Sequence, residues 1–186
     1  MSTTRNGFDV VGELGALRRY ARVLTRDEAD AEDLVHDALV RAYEKRGSFR
    51  SGGNLKGWLL AIVHNTFVSA RRARLARQTR EERSAELEPL HAEPAQDGAV
   101  RLDEVRRAFL QLPDEQREAL HLVAIEGLSY QEAAAALDVP VGTLMSRIGR
   151  ARAALRALDE AGPAAARIAG SPPKLRIVGG SDDGTD

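Results

Sequence analysis

At 186 residues the chain has room for one medium domain or two small ones, a domain taking roughly 150 residues. Its 27 Lys and Arg against 28 Asp and Glu give a formal net charge of −1, a sum that by itself argues against a nucleic-acid binder, while 43% hydrophobic residues are too many for a wholly disordered chain. Cysteine is absent, which excludes a disulfide framework, a thiolate nucleophile and any cysteine-held zinc or iron–sulfur centre. No apolar run approaches the ~20 residues that span a bilayer, and the polar N-terminus lacks the apolar core of a signal peptide. A cytoplasmic protein with no membrane insertion of its own is expected.

Aromatics are only 4% of the chain, and Ala, Leu, Arg and Glu dominate, so helices are favoured over a β-sandwich. Leu14, Leu17, Ala21 and Leu24 share one face at helical spacing. A second helix follows Asp27, its apolar stripe formed by Ala31, Leu34, Val35, Ala38, Leu39, Ala42 and Tyr43. Residues 47–54 are a loop by composition. Asn54 can then N-cap a third helix that runs to about Arg74, striped by Leu55, Leu59, Ile62, Val63 and Phe67. Six of the eight aromatics (Phe8, Tyr20, Tyr43, Phe49, Trp58, Phe67) fall in this first segment, as expected for a helical domain with its own core over residues 8–75. Periodicity weakens across 76–99, where Pro89, Pro94 and Gly98 mark a flexible linker that can be helical at its start. It returns at Val100, with Leu102, Val105, Phe109 and Leu112 ahead of the helix-ending Pro113. A second domain occupies 100–160, and the Gly-, Pro- and Asp-rich tail, 161–186, reads as disordered. The expected fold is all-α, two small helical domains on a flexible linker, with no internal repeat.

The most specific pattern lies in the second domain. Gly127 closes a helix; Ser129, with Glu132 three residues on, opens the next through a capping box. Ala133, Ala134 and Leu137 face inward, Asp138-Val139 turns the chain, and Pro140 suits the first turn of a new helix. That helix buries Leu144, Ile148, Ala151 and Leu155 and presents Thr143, Ser146, Arg147, Gly149, Arg150 and Arg152. This is a helix-turn-helix, whose second helix enters the major groove. Arg can grip guanine bidentately, while Ser and Thr donate or accept and flanking arginines hold phosphates. An αα-hairpin with an arginine-rich solvated face is the alternative.

Divided along the chain, the charge is segregated. Residues 27–45 hold seven acids and two bases, 55–83 seven bases and two acids, 84–98 four acids and no base, and 140–157 four arginines and no acid. Such blocks are either separate interaction surfaces or solvated helix faces. The third helix ends in Arg71-Arg72-Ala73-Arg74, with His64, Asn65 and Thr66 a turn or two earlier and a Gly-rich loop carrying Phe49 and Arg50 just before it. A basic helix beside a loop-borne aromatic makes a single-strand platform. Trp58, at the spacing of the apolar stripe, reads as core, whereas Phe49 suits either role. The four histidines, His36, His64, His91 and His121, have no metal-ligand spacing, and neither a metal nor another cofactor is expected.

Two stretches together resemble a known family. Asp30-Ala-Glu-Asp-Leu-Val-His-Asp-Ala-Leu-Val-Arg-Ala-Tyr43, followed by Phe49 and by Trp58-Leu-Leu-Ala-Ile-Val-His-Asn-Thr66, is similar to region two of bacterial sigma factors. Leu112-Pro-Asp-Glu-Gln-Arg-Glu-Ala-Leu120, Glu126-Gly-Leu-Ser-Tyr-Gln-Glu-Ala-Ala134 and Val141-Gly-Thr-Leu-Met-Ser-Arg-Ile-Gly-Arg-Ala-Arg152 are similar to region four. Two such domains on a short linker resemble the extracytoplasmic-function (ECF) group, over roughly residues 10–158 and in the right order.

The resemblance implies a promoter-specificity subunit of RNA polymerase, not an enzyme. It implies that the acidic helix, through Asp30, Asp33, Leu34, Asp37 and Arg41, docks on the β′ clamp of core polymerase, with further contact to the β flap. It implies that Ser48, Phe49, Arg50, Asn54, Lys56, His64, Asn65, Arg71 and Arg72 recognise and help open the −10 element. Thr143, Met145, Ser146, Arg147, Arg150 and Arg152 then read the −35 element. Promoter DNA and an anti-sigma factor are the other implied partners, and the acidic stretch 84–98 is compatible with a channel built for RNA. Some members carry a basic residue where this chain has Met145 and a bulkier one where it has Gly149; Met145 cannot donate a hydrogen bond and Gly149 has no side chain. A sigma-like decoy that sequesters an anti-sigma factor is the competing class; such decoys usually carry a receiver domain, for which 186 residues leave no room, and would not need two basic faces. A hydrolase or nuclease would need a nucleophile, phosphate loop or metal constellation, and no such motif is present.

Overall fold

A computed structural model describes residues 9–50, 52–81 and 100–168, with side chains at 9–50, 52–78 and 105–157. The acidic stretch 84–98 and the tail from 169 onward lie outside the described residues. Among the described residues there is no strand.

A 3-10 turn, Val11–Glu13, leads into α1 (Leu14–Thr25). This helix stops where Arg26 turns left-handed, φ 60°, and returns its N–H to the carbonyl of Arg22. Helix α2 (Glu28–Glu44) opens on Asp27, whose carboxylate accepts the N–H of Asp30 at 2.9 Å. Helix α3 (Leu55–Glu81) is capped as its sequence predicts, Asn54 accepting the N–H of Gly57 at 3.0 Å. It continues past Arg74, so the first part of the stretch read as linker is helical.

In the second half, α4 (Val100–Gln111) ends ahead of Pro113, and α5 (Asp114–Leu120) passes into a π turn, His121–Ile125. Gly127, at φ 72°, makes the reversal that releases the chain into α6 (Tyr130–Ala136). Helix α7 begins at Val141 and runs through Gly162 and Pro163 to Ile168, past the point where the sequence places the start of the tail.

Helix α1 buries Leu17, Tyr20, Ala21 and Leu24, α2 buries Ala31, Leu34, Val35, Ala38 and Ala42, and α3 buries Leu59, Leu60 and Val63. Tyr43 departs from its predicted place in the stripe and is 64% exposed. The buried line of α2 follows Ala31, Val35, Ala38 and Ala42; Leu39 and Tyr43 drift round to its edge, because four residues turn a helix by more than a full circle. There the guanidinium of Arg46 covers the Tyr43 ring at 4.0 Å.

The sequence suggests two domains with separate cores. Instead the buried residues of both halves form one continuous apolar cluster, with α1 packed on α5 and α3 on α6. Leu60 is fully buried at the centre of the first half. Leu60→Ala is therefore expected to lower unfolding stability by about 2–5 kcal/mol, measured by urea titration; a smaller loss would mean that the site collapses around the cavity.

Candidate nucleic-acid and polymerase interfaces

The capping box predicted for α6 is formed: Ser129 accepts the N–H of Glu132 at 3.2 Å, and the Glu132 carboxylate accepts the Ser129 N–H at 2.8 Å. Asp138, at φ 53°, turns the chain towards α7. Leu144, Ile148 and Ala151 are buried beneath that helix, so Thr143, Met145, Ser146, Gly149, Arg150 and Arg152 face solvent. The Ser146 hydroxyl donates to the Gly142 carbonyl at 3.0 Å, which leaves its oxygen free to accept. Arg147, also assigned to this face, bends back to Glu115 on α5 at 2.8 Å and is largely covered. A Cβ built at Gly149 meets nothing within 4 Å, so the glycine leaves a flat place in the outward face.

The basic α3 and its preceding loop divide into two groups. Ser48, Arg50, Asn65, Arg71 and Arg72 are exposed, the Ser48 hydroxyl donating to the Lys45 carbonyl at 2.7 Å. Phe49 packs its ring on Trp58, centroids 5.4 Å apart at 52°, so the two aromatics form one half-buried unit. Asn54, Lys56 and His64 make contacts with the second half of the molecule, Asn54 while still exposed and Lys56 half-buried. Asn54 Nδ2 donates to Glu132 Oε1 at 2.7 Å, and Lys56 donates to the carbonyl of Glu126. His64 is buried.

On α2 the carboxylates of Asp30, Asp33 and Asp37 and the guanidinium of Arg41 are exposed. Leu34 is only 7% exposed and belongs to the core side of the helix. Val40 and Tyr43 add exposed apolar surface beside the acids.

Between the halves lies a polar seam. Arg19 on α1 grips Glu126 through two bonds, Nε to Oε1 at 3.0 Å and Nη2 to Oε2 at 2.9 Å, and the Glu126 side chain is 1% exposed. This hydrogen bond to Glu126 raises the Arg19 pKa further, against the cost of partial burial. His121 reaches the same carboxylate from inside the second half, Nε2 to Oε1 at 3.1 Å, and stacks on the Tyr20 ring at 5.6 Å. The Tyr20 hydroxyl lies 3.1 Å from His64 Nδ1, and that nitrogen is 3.7 Å from Glu118 Oε2. Arg117, fully buried, donates to the carbonyls of Leu112 and Val23 and to Asp114, which also accepts from Arg26 at 2.8 Å. Burial works against the Asp114 charge, but the hydrogen bond and charge of Arg117, with the charge of Arg26, outweigh it and hold the carboxyl below its usual range.

The chain also has two matches to described protein families: residues 11–77 to Sigma-70 region 2, and residues 102–155 to Sigma-70, region 4. Over 150 residues it is 39% identical to the ECF RNA polymerase sigma factor EcfG of Rhodopseudomonas palustris (strain TIE-1), covering 81% of this chain and 82% of that one. The chain belongs to the ECF sigma factors of RNA polymerase. It is also 37% identical over 145 residues to SigM of Mycobacterium tuberculosis (strain ATCC 25618 / H37Rv), covering 76% of this chain and 70% of that one. Its structure resembles that of the sigma factor RpoE from Bartonella quintana, solved in complex with the anti-sigma factor NepR, at a TM-score of 0.68 and 38% identity over 83% of this chain and 96% of that one.

In this sigma factor, then, region two supplies α1 to α3 and region four the helix-turn-helix, and the seam joins the two regions. Sequence reading missed Arg19, Arg117, Glu118 and Glu126 as a group, because residues that meet only after folding leave no periodic trace. Four groups of the seam, Tyr20, His64, His121 and Glu118, are pushed towards their neutral forms. Burial raises Tyr20 well above its ordinary value and lowers His64 and His121, and it pushes Glu118 up to about 7. At neutral pH the 3.7 Å contact between His64 and Glu118 is thus not a full ion pair, since burial disfavours the charged imidazole and leaves the carboxyl only partly ionised.

The sign of the resulting pH dependence is set by proton counting. Between the ordinary value of 4.5 and the folded value of about 7, folded Glu118 keeps a proton that the unfolded chain has lost, so its contribution to stability falls as pH rises through that window. Glu118→Gln removes this loss: the variant is expected to exceed the parent in stability by on the order of 2–3 kcal/mol near pH 8, with the advantage shrinking towards pH 5. Thermal unfolding across that range checks it, and a pH-independent difference would mean that Glu118 is not the titrating group.

Proposed function

We propose that this sigma factor binds core RNA polymerase and directs it to promoters, region four reading the −35 element and region two recognising and opening the −10 element. The observation that carries the reading is the outward face of α7. Thr143, Met145, Ser146, Arg150 and Arg152 are exposed over a buried Leu144, Ile148 and Ala151, without an acid among residues 140–157. A major-groove helix needs this combination: a fixed inner stripe to set its rotation, and outward donors for base edges and phosphates. Arg147 joins the −35 contacts once it leaves Glu115.

On the −10 side, Arg50, Asn65, Arg71 and Arg72 surround the single strand, and the Phe49–Trp58 unit offers a ring on which an extruded base stacks. Extrusion costs a few kcal/mol, and stacking with phosphate contacts offsets it. Ser48, Asn54, Lys56 and His64 complete this set in the promoter complex. The acidic face of α2, with Asp30, Asp33, Asp37 and Arg41 beside Val40 and Tyr43, docks on the β′ clamp; Leu34 supports that face from beneath. Region four meets the β flap. Because the relative RpoE was solved with NepR, an anti-sigma factor is proposed as a partner here too. Among the described residues no helix is long and apolar enough to cross a membrane, in keeping with action in the cytoplasm.

Transcription in vitro with core polymerase over a randomised promoter library tests the function: two enriched elements, near −35 and −10, are expected, and no enrichment would reject it. Arg150→Ala is expected to cost about 1–3 kcal/mol at one −35 base pair and to relax preference there; an unchanged library profile would remove Arg150 from the readout. Replacing Asp33 and Asp37 together by Lys is expected to abolish co-purification with core polymerase while leaving the helical fold intact, since both side chains are exposed. Full recovery of the complex would place the docking face elsewhere.

A further inference from the structure

Among the polar residues on the outward face of α7, Met145 stands out, 54% exposed. Its thioether cannot donate a hydrogen bond and accepts only weakly, so phosphates and polar base edges offer it nothing. Val141, one turn earlier and beside it on the helix surface, is a second exposed hydrophobic at 39%. Apolar surface turned to the major groove has one matching partner there, the methyl group of thymine. Met145 suits that partner, because its flexible, polarisable side chain can settle against a small apolar target.

The neighbours of Met145 favour the same base pair. Ser146 donates its hydroxyl to the Gly142 carbonyl at 3.0 Å, so towards the groove its oxygen is an acceptor. Donors on the major-groove edges are the amino groups of adenine and cytosine, and only adenine is paired with a thymine methyl. Gly149 lies four residues beyond Met145 and so borders it on the helix surface. Side chains of a helix lean back over the preceding turn, so a larger residue at 149 would lie across Met145 and Ser146. The backbone at Gly149 is helical and a Cβ there meets nothing within 4 Å, so neither conformation nor packing calls for glycine. What the missing side chain supplies is room for a base edge.

We infer that Met145 selects one A·T pair of the −35 element, resting on the thymine methyl while Ser146 accepts from the adenine amino group, with Gly149 keeping the place open. This assignment rests on the −35 contact proposed above and adds which base pair is chosen there and by what chemistry. Removing one methyl from water contributes about four-fold in binding, which sets a preference, while the exposed Arg150 and Arg152 hold guanine and phosphates.

Transcription in vitro by core polymerase with the full chain reads the contact directly. Once the promoter library has given the −35 element, each of its thymines, on either strand, is replaced in turn by deoxyuridine, which pairs alike and lacks only the methyl. With the parent chain, one such replacement is expected to lower initiation at subsaturating polymerase by about four-fold. Met145→Ala is expected to use the uracil and thymine promoters equally, whereas Met145→Leu, still apolar, is expected to keep the difference. Met145→Lys brings a donor and a charge, and is expected to move the library preference at that pair towards G·C. Should Met145→Ala transcribe too weakly to measure, Met145→Leu against Met145→Lys supplies the comparison, the first distinguishing thymine from uracil and the second not. A −35 element without an A·T pair, methyl removal without effect at every position, or a methyl effect that persists in Met145→Ala or Met145→Lys would overturn the assignment and leave the −35 reading standing. A library with no enrichment near −35 would reject both.

Discussion

A carboxylate with 1% of its side chain in contact with water is stable only when its charge is met inside the protein. For Glu126 the two partners come from opposite sides, Arg19 from α1 and His121 from the same half of the chain. Their placement depends on the π turn. In that wider loop the Glu126 N–H returns to the His121 carbonyl at 3.1 Å, five residues back, and the next turn is closed by Leu128 on Leu122. A regular α-helix would set position 126 a different distance round the axis from His121 and from α1. The registration of region four on region two rests on that compensated charge together with the continuous apolar cluster that joins the two halves.

The charge balance of the chain has the same logic. A formal net charge of −1 gives little general attraction for DNA phosphates, yet the bases lie in two blocks and the acids in others. The exposed acids of α2 and the acid-free face of α7 are surfaces of opposite sign on different elements, which suits a protein whose DNA contact is made in the company of a larger partner. The seam engages Lys56 of region two while leaving Arg71, Arg72 and Arg150 in solvent.

Features written in residues close along the chain were legible. The Asp27 and Asn54 caps, the Ser129–Glu132 capping box and the inward register of Leu144, Ile148 and Ala151 all arise from residues three or four apart. Edges of these patterns were less legible: Tyr43 continues the apolar spacing of α2 but has rotated out of the contact, and α3 runs on beyond the point where apolar periodicity fades. Helical spacing states which side of a helix is apolar, not where its neighbour ends.

By itself, then, the sequence determined an all-helical chain, the helix-turn-helix with its outward Thr143, Ser146 and Arg150, and the acidic and basic faces, because capping and periodicity act through the local backbone. Tertiary structure alone decided that Arg19 meets Glu126 across 107 positions, that Asn54 meets Glu132 across 78, and that His64, polar and placed among DNA-facing residues by its sequence, is buried instead. The physical reason is that burial of a charge or an imidazole is settled by what packs over it. In this chain that covering comes from the other half, and no spacing within either half encodes it.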